Sequence, residues 1–433
     1  MDFNKFESFS FRIGHTDGLY VREELVMRIC RSLRDSFAIA IGLCCLSVLA
    51  IQPARAQKSP RDMPVYKVDP FWPKPLPNKW ILEAIPVMVT DKDDHIWVIS
   101  RPGDVKPDES GAATTPPRTD CCIAAPAVVE FDTEGNVLQG WGGPGYTPGW
   151  PKPQEHAILV DREGNVWLSS GGRGNSIQKF TGDGKFLWDF GHRAPPLAPG
   201  EKARENNQQT DILQGGVFEF TLDEDAQEIY IVEQKRVLVY GYDGSFKRGW
   251  GGKDKALADI SNDPTPPYDW KSGPPPDQEE FAPALHCVHI APDGLVYVCE
   301  RGSDRVQVFT KQGKFVTSFF VHPSTPARGP ECGGQFGMCG SIYNLTFSHD
   351  ADGKYVLIAD GTNDKIWIQD RKNGALAGSI GDNGRMAGYF HWIDAIAIDS
   401  KGNLYTGEVD TGKRVQKFIL TNADGKSRPR PHD

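Results

Sequence analysis

Five segments of the chain repeat one pattern, and a sixth carries part of it. Each runs from a short apolar strand through an Asp/Gly-type turn to a second strand, then through a polar turn to a third strand ending in aromatic-Gly. Residues 156–191 read HAILVDREGNVWLSSGGRGNSIQKFTGDGKFLWDFG, and residues 286–320 read HCVHIAPDGLVYVCERGSDRVQVFTKQGKFVTSFF. The turn residues supply positive φ, and the flanking Val, Ile, Tyr and Trp suit a pleated strand. Self-similarity on this scale marks a repeat architecture. First turns fall near Asp94, Gly164, Asp225, Gly294, Gly353 and Gly402, and second turns at Gly135, Gly184, Gly244, Gly313 and Gly374. Six first turns predict an all-β fold, a six-bladed β-propeller.

The last unit has strands near 394–398, 403–407 and 414–419 but no fourth. Residues 64–68 (PVYKV) precede the first unit without a partner. Pairing them as the outer strand of the last blade closes the ring and removes an exposed edge. The units are spaced more widely than minimal blades need. The excess lies in Pro/Gly-rich stretches at 101–119, 194–214, 253–280 and 322–339, which are expected to form a rim over a pocket.

Residues 27–56 read as a secretory signal. Arg28, Arg31 and Arg34 give a basic start, 37–51 is apolar, and Ala54-Arg55-Ala56 is a cleavage site before Gln57. The first 26 residues fit no targeting pattern, so initiation at Met27 is expected, with 57–433 as one propeller domain. The signal has the style of a bacterial periplasmic or secreted protein. One short apolar span does not make a membrane anchor. A net charge of −9 without a long basic run argues against nucleic acid as a partner.

Three of the nine cysteines (Cys30, Cys44, Cys45) leave with the signal, and Cys121, Cys122, Cys287, Cys299, Cys332 and Cys339 remain. An even count in an exported protein favours disulfides. Cys332 and Cys339 flank a Gly-rich loop and form the easiest pair. Cys287 and Cys299 fall nearly opposite each other on one hairpin. Cys121 and Cys122 are open to a vicinal bridge or to other partners.

In a propeller the first strand of each blade lines the central channel. His156 and His286 each sit eight residues before the turn glycine of their unit, which places two imidazoles on one axis at one depth. Asp394 holds that register in the sixth unit, with His391 three residues earlier, and a His-His-Asp set is a workable metal site. In units three and five the register falls on Val217 and Leu345. Arg101 and Arg301 recur after second strands, at the channel mouth, where a guanidinium can bind a carboxylate bidentately. The competing reading makes each histidine a satisfied channel-lining residue and each arginine a surface ion pair.

The apolar start, the D-x-x-G-N turn, V-Y-V or V-W-L, and then R-V-Q-K-F resemble NHL repeats from about Pro64 to Leu420. Within that group the chain is similar to peptidyl-α-hydroxyglycine α-amidating lyase. The resemblance implies a zinc on channel histidines, matching His156 in HAILVDREGNVW and His286 in HCVHIAPDGLVYVCERGS. It also implies substrate arginines at Arg101 and Arg301, and structural calcium. Two departures stand out. The third zinc histidine falls at Asp394, unless a local shift brings in His391. The family tyrosine falls in VEQKRV, residues 232–237, which has none.

Three functions fit these features. The first is a metal-dependent lyase of the amidating type with an altered site, acting on a peptide or small molecule that carries a carboxylate. The second is a lactonase-like hydrolase on the same metal. The third is a non-catalytic NHL propeller that binds a peptide, glycan or protein through its long loops.

Overall fold

The computed structural model describes residues 62–150, 154–171, 177–191, 198–201, 205, 207, 213, 215–328, 339–350 and 352–422. The predicted start site and signal lie outside these residues. Among them, no helix is long and apolar enough to cross a membrane.

Six four-stranded antiparallel sheets make six blades. Their first strands are Met88–Thr90, Gln154–Val160, Glu219–Asp223, Leu285–Ile290, Asn344–Phe347 and Ile393–Ile398. Blades 2 to 5 each run through four consecutive strands, and blade 1 does so with Ile123–Ala124 interposed between its second and third. Blade 6 has three of its own and takes Tyr66–Asp69 as its outer strand. Tyr66 pairs with Leu420, Lys67 with Ile419, Val68 with Phe418 and Asp69 with Lys417. The fold is thus the expected six-bladed propeller, closed by its N-terminal strand. A short parallel pair, Trp80–Ile81 with Ile123–Ala124, lies outside the blades.

The turn motif explains the local geometry. In blades 1, 2 and 6 the aspartate that opens the first turn accepts backbone N–H groups two and four residues on. Asp91 takes Asp93 and His95, Asp161 takes Glu163 and Asn165, and Asp399 takes Lys401 and Asn403. The second oxygen of each accepts from an aromatic side chain on the second strand: Trp97 Nε1, Trp167 Nε1 and Tyr405 OH. One carboxylate therefore folds the turn and anchors a large core side chain. In blade 3 the positive φ falls at Gln227, not at Asp225.

The R-V-Q signature also has a physical reading. In blade 4, Glu300 ends the second strand and is fully buried. Its carboxylate accepts from Arg305 Nε at 2.9 Å, Gln307 Nε2 at 2.9 Å, Ser303 Oγ at 2.5 Å and Ala282 N at 2.6 Å. Blade 6 repeats the device with Glu408, Arg414 and Gln416, at 2.7 and 3.0 Å. Blade 3 keeps the Glu233–Arg236 pair, both side chains fully buried. A charge buried this way is tolerable only because nearly every lone pair is met.

Cys287 and Cys299 are register partners and are bridged, with Cα atoms 4.8 Å apart. Cys121 and Cys122 form a vicinal bridge. Cys339 is disulfide-bonded, and Cys332 lies outside the described residues.

First strands run from the axis end toward the first turns. The fourth-to-first and second-to-third connections therefore share one face. The predicted insertions at 101–119 and 253–280 belong to it, and those at 194–214 and 322–339 lie in part outside the described residues. Deleting residues 62–69 should cost on the order of 3 kcal/mol, from the lost burial of Tyr66 and Val68, and should expose the Val415–Leu420 edge. Denaturant unfolding and light scattering check this. Unchanged stability would refute the closure.

Candidate metal centre

The three residues that the register argument selected come together. His156, His286 and Asp394 are each nearly fully buried and each offers a ligand atom, all within 4.8 Å of one another. The ring centroids of His156 and His286 are 5.4 Å apart, and Asp394 Oδ1 lies 3.8 Å from His286 Nδ1. One backbone irregularity aims all three. Pairing in blade 4 jumps from Leu285–Glu300 to Cys287–Cys299, leaving His286 as an extra residue. Blade 6 does the same at Asp394, between Ile393 and Ala395. In blade 2, His156 and Ala157 lie between the pairs Glu155–Ser170 and Ile158–Leu168, so they face one residue. A bulge turns the extra side chain out of the alternation, here toward the axis. In blade 2 the displaced Ala157 N–H is recovered by Ser169 Oγ at 3.2 Å, which itself donates to Val217 O at 2.8 Å.

His286, His156 and Asp394 stand four residues before the last paired residue of their strands, Ile290, Val160 and Ile398. The same count from Phe347 in blade 5 reaches Tyr343. In blade 3, whose strand pairs one residue further, Phe218 takes the place. Its ring lies 5.0 Å from that of His156 and 5.8 Å from that of His286. Val217 and Leu345, the sequence assignments for these blades, belong instead to the apolar cores. The error came from counting back from the turn glycine, because the first turns of blades 3 and 5 differ in length from the others.

His286 Nδ1 meets the Tyr343 carbonyl at 2.6 Å. That carbonyl can only accept, so Nδ1 carries the proton and Nε2 keeps its lone pair. His156 bonds the Phe218 backbone and leaves Nδ1 buried without a partner. Each imidazole is thus oriented by the ring residue of the next blade, as outer partners orient metal-bound histidines. Asp394 Oδ1 is also buried without a hydrogen bond. Two such orphaned atoms cost about 1–3 kcal/mol each unless something meets them, and a divalent cation would meet both. The set of two imidazoles and one carboxylate, with open positions, is a zinc-type donor set.

His391 does not join them. Its Nε2 bonds Thr411 Oγ1 at 2.8 Å, and its Nδ1 faces Asp364 at 3.9 Å.

Burial holds His156 well below the ordinary imidazole range, helped by Arg101 and by His286. Burial likewise pushes His286 down to about 3, with Arg301 adding to it. Both rings are neutral at pH 7, with lone pairs free to ligate. Asp394 is pushed up to about 8 by burial, which outweighs the opposing pull of Arg101 and Arg301. Binding a cation must therefore displace a proton from Asp394.

Arg101 and Arg301 flank the centre. Arg101 Nε donates to Glu155 O at 2.8 Å, beside His156, and Arg301 lies over the Tyr343 ring at 5.0 Å. Two glycines make room. A Cβ on Gly171 would stand 2.8 Å from His156 Cδ2, and one on Gly340 would stand 2.2 Å from Arg301 O. Tyr343, Phe218 and these glycines were missed in the sequence, because a ring position gives no signal unless its residue is polar.

Two other clusters occur among the described residues: Glu219, Cys287 and His289, and Asp91, His95 and Glu130. The Cys287 sulfur is bridged and is no thiolate. Calcium takes six to eight oxygen ligands, and each of the three clusters contains a histidine, so none of them resembles a calcium site.

No protein-family model matches the chain, and no curated protein sequence matches it. Among solved structures, it resembles a streptogramin B lyase at 12% identity, over 82% of this chain and 98% of that one, with a TM-score of 0.46. It also resembles catalytically inactive virginiamycin B lyase from Staphylococcus aureus with quinupristin (12% identity, 82% and 89% covered, TM-score 0.42). Selenomethionine-substituted virginiamycin B lyase from the same organism is a third (10%, 83% and 90%, TM-score 0.40).

His156→Ala and His286→Ala should each abolish stoichiometric metal, measured by elemental analysis of purified protein. Gly171→Ala should weaken metal binding by ~10-fold or more, as disturbed second-layer support does, while thermal unfolding stays cooperative. Full metal content in both histidine variants would remove the centre.

Proposed function

We propose that the chain is an exported, metal-dependent lyase built on an NHL-type propeller, related in site design to peptidyl-α-hydroxyglycine α-amidating lyase but altered in its chemistry. The observation that carries this is the convergence of His156, His286 and Asp394 with two buried, unpartnered ligand atoms. Zinc is the proposed ion, and bound there it would act as a Lewis acid on a hydroxyl or carboxylate oxygen.

The other residues divide the remaining work. Arg101 and Arg301 supply positive charge on opposite sides of the centre and suit the carboxylate of a peptide or small molecule. Phe218 and Tyr343 wall the ring with aromatic surface. The place of the family tyrosine is taken by the turn after Glu233. There Arg236 bonds Glu233, and Lys235 Nζ donates to Asp263 O at 2.7 Å. Neither is available as a base. Tyr343 does not substitute, because its hydroxyl is engaged with Thr362 Oγ1 at 3.2 Å. The carboxylate ligand also lowers the charge of the centre relative to three histidines. Slow or redirected chemistry follows, not efficient amidating activity.

Screening metal-loaded protein against α-hydroxyglycine peptides and lactones tests the reading. Turnover should require His156 and His286. Arg101→Ala or Arg301→Ala should raise KM for a carboxylate substrate by ~10-fold or more, the loss of one charge-assisted hydrogen bond. Wild-type protein that takes up no metal would favour the non-catalytic binding propeller. For export, intact mass of protein recovered from a secreting bacterial host should place Gln57 at the N-terminus. Full-length protein retained in the cytoplasm would contradict it.

A further inference from the structure

The channel carries a second polar tier that the proposed centre does not use. Glu219, His289 and Asn344 project from the first strands of blades 3, 4 and 5 and bond one another. Leu345 N donates to Asn344 Oδ1 at 2.7 Å and Asn344 Nδ2 donates to Glu219 Oε2 at 3.1 Å, which fixes the amide with Oδ1 toward His289. His289 Nε2 lies 2.7 Å from that Oδ1 and 3.0 Å from Glu219 Oε1. Both neighbours accept, so Nε2 carries a proton. Both oxygens of Glu219 receive N–H donors, which leaves the carboxylate ionised. At only 2% exposed it needs a counter-charge, and the ring supplies it as imidazolium. Burial opposes the charged ring, but Glu219 and the bond to Asn344 outweigh it and raise His289 above the ordinary imidazole range.

The other ring nitrogen is therefore a donor as well. His289 Nδ1 has no partner among the described residues, the side chain is 25% exposed, and the ring lines a cavity of about 230 Å³. This cavity lies at the first-turn end of the channel, where His289 stands three residues beyond His286 on the strand Leu285–Ile290. Leu159, Ile290, Phe347 and Ile398 give it apolar walls. The carboxylates at its rim are occupied. Asp91 accepts from Asp93 N, His95 N and Trp97 Nε1, Asp94 from Ser400, and Asp399 from Lys401 N, Asn403 and Tyr405 OH. Their negative charge remains, and Glu219 already balances the imidazolium. The cavity thus presents apolar surface and a charged N–H donor in surroundings that disfavour an anion. At ~30 Å³ per water, its volume matches a ligand of about seven heavy atoms.

We propose that this cavity is a binding site for a small uncharged cyclic carbonyl compound. The apolar body of the ligand lies along Leu159, Ile290 and Phe347. Its carbonyl oxygen accepts from His289 Nδ1–H in a charge-assisted hydrogen bond. An ammonium of the same shape sets donor against donor. A carboxylate of the same shape meets the negative charge of Glu219 and of the rim. A plain hydrocarbon leaves the imidazolium N–H unpaired.

Calorimetric titration with cyclohexanone, cyclohexylammonium and cyclopentanecarboxylate tests this on the full protein. The ketone should bind at least ~10-fold tighter than either ion, as expected for a charge-assisted bond. Glu219→Gln removes the counter-charge and returns the ring to its neutral form with a lone pair on Nδ1. It should lower ketone affinity by ~10-fold or more. Leu159→Trp should abolish ketone binding by filling the cavity, while metal uptake at the proposed centre stays unchanged. The proposal falls if wild type does not bind the ketone, or binds either ion as tightly. It falls equally if Leu159→Trp keeps the wild-type ketone affinity, or if Glu219→Gln binds the ketone undiminished.

Discussion

Everything at the axis depends on how the ring is closed. Six sheets can hold six inner strands at one radius only if the last sheet is locked to the first part of the chain. Tyr66–Asp69 does this by pairing with Val415–Leu420. The lock joins distant parts of the sequence, so no single blade determines the channel geometry. Buried Glu–Arg pairs then stiffen the insertion-bearing ends of blades 3, 4 and 6. In blade 4, Glu300 is followed directly by Arg301, so the network that satisfies a buried carboxylate also fixes where that guanidinium leaves the sheet.

Within this frame the proposed centre is made by one small deviation repeated three times. An extra residue in an inner strand costs ladder hydrogen bonds but redirects a side chain toward the axis. The electrostatic result is a compromise. Burial keeps both imidazoles neutral and ready to ligate, yet the same burial pushes Asp394 up to about 8. The positive charges of Arg101 and Arg301 beside the centre also disfavour a cation. Such a site suits an ion bound by good ligands more than by long-range attraction.

Much of this was legible in the sequence. Blade number, ring closure and the shared depth of His156, His286 and Asp394 all followed from turn signals and register. What was hidden has identifiable causes. Phe218 and Tyr343 were displaced in the count by first turns of unequal length. His391 is close to Asp394 in sequence, but the chain turns it toward Thr411. Gly171 looks like an ordinary strand-end glycine until the His156 ring is seen against it. The Glu219–His289–Asn344 tier joins three blades, and no local pattern announces a contact between residues so far apart in the chain.

The bridge between Cys287 and Cys299 has a consequence for how this protein can vary. It ties together the strand segments next to His286 and just before Arg301, while the hairpin tip at 291–295 lies beyond the bridge on the opposite face. The two side chains therefore belong to a small covalent frame, and the tip meets the core separately through Ala291 and Leu295. Substitutions at its exposed residues, Pro292 and Asp293, fall beyond the bridge and away from both side chains.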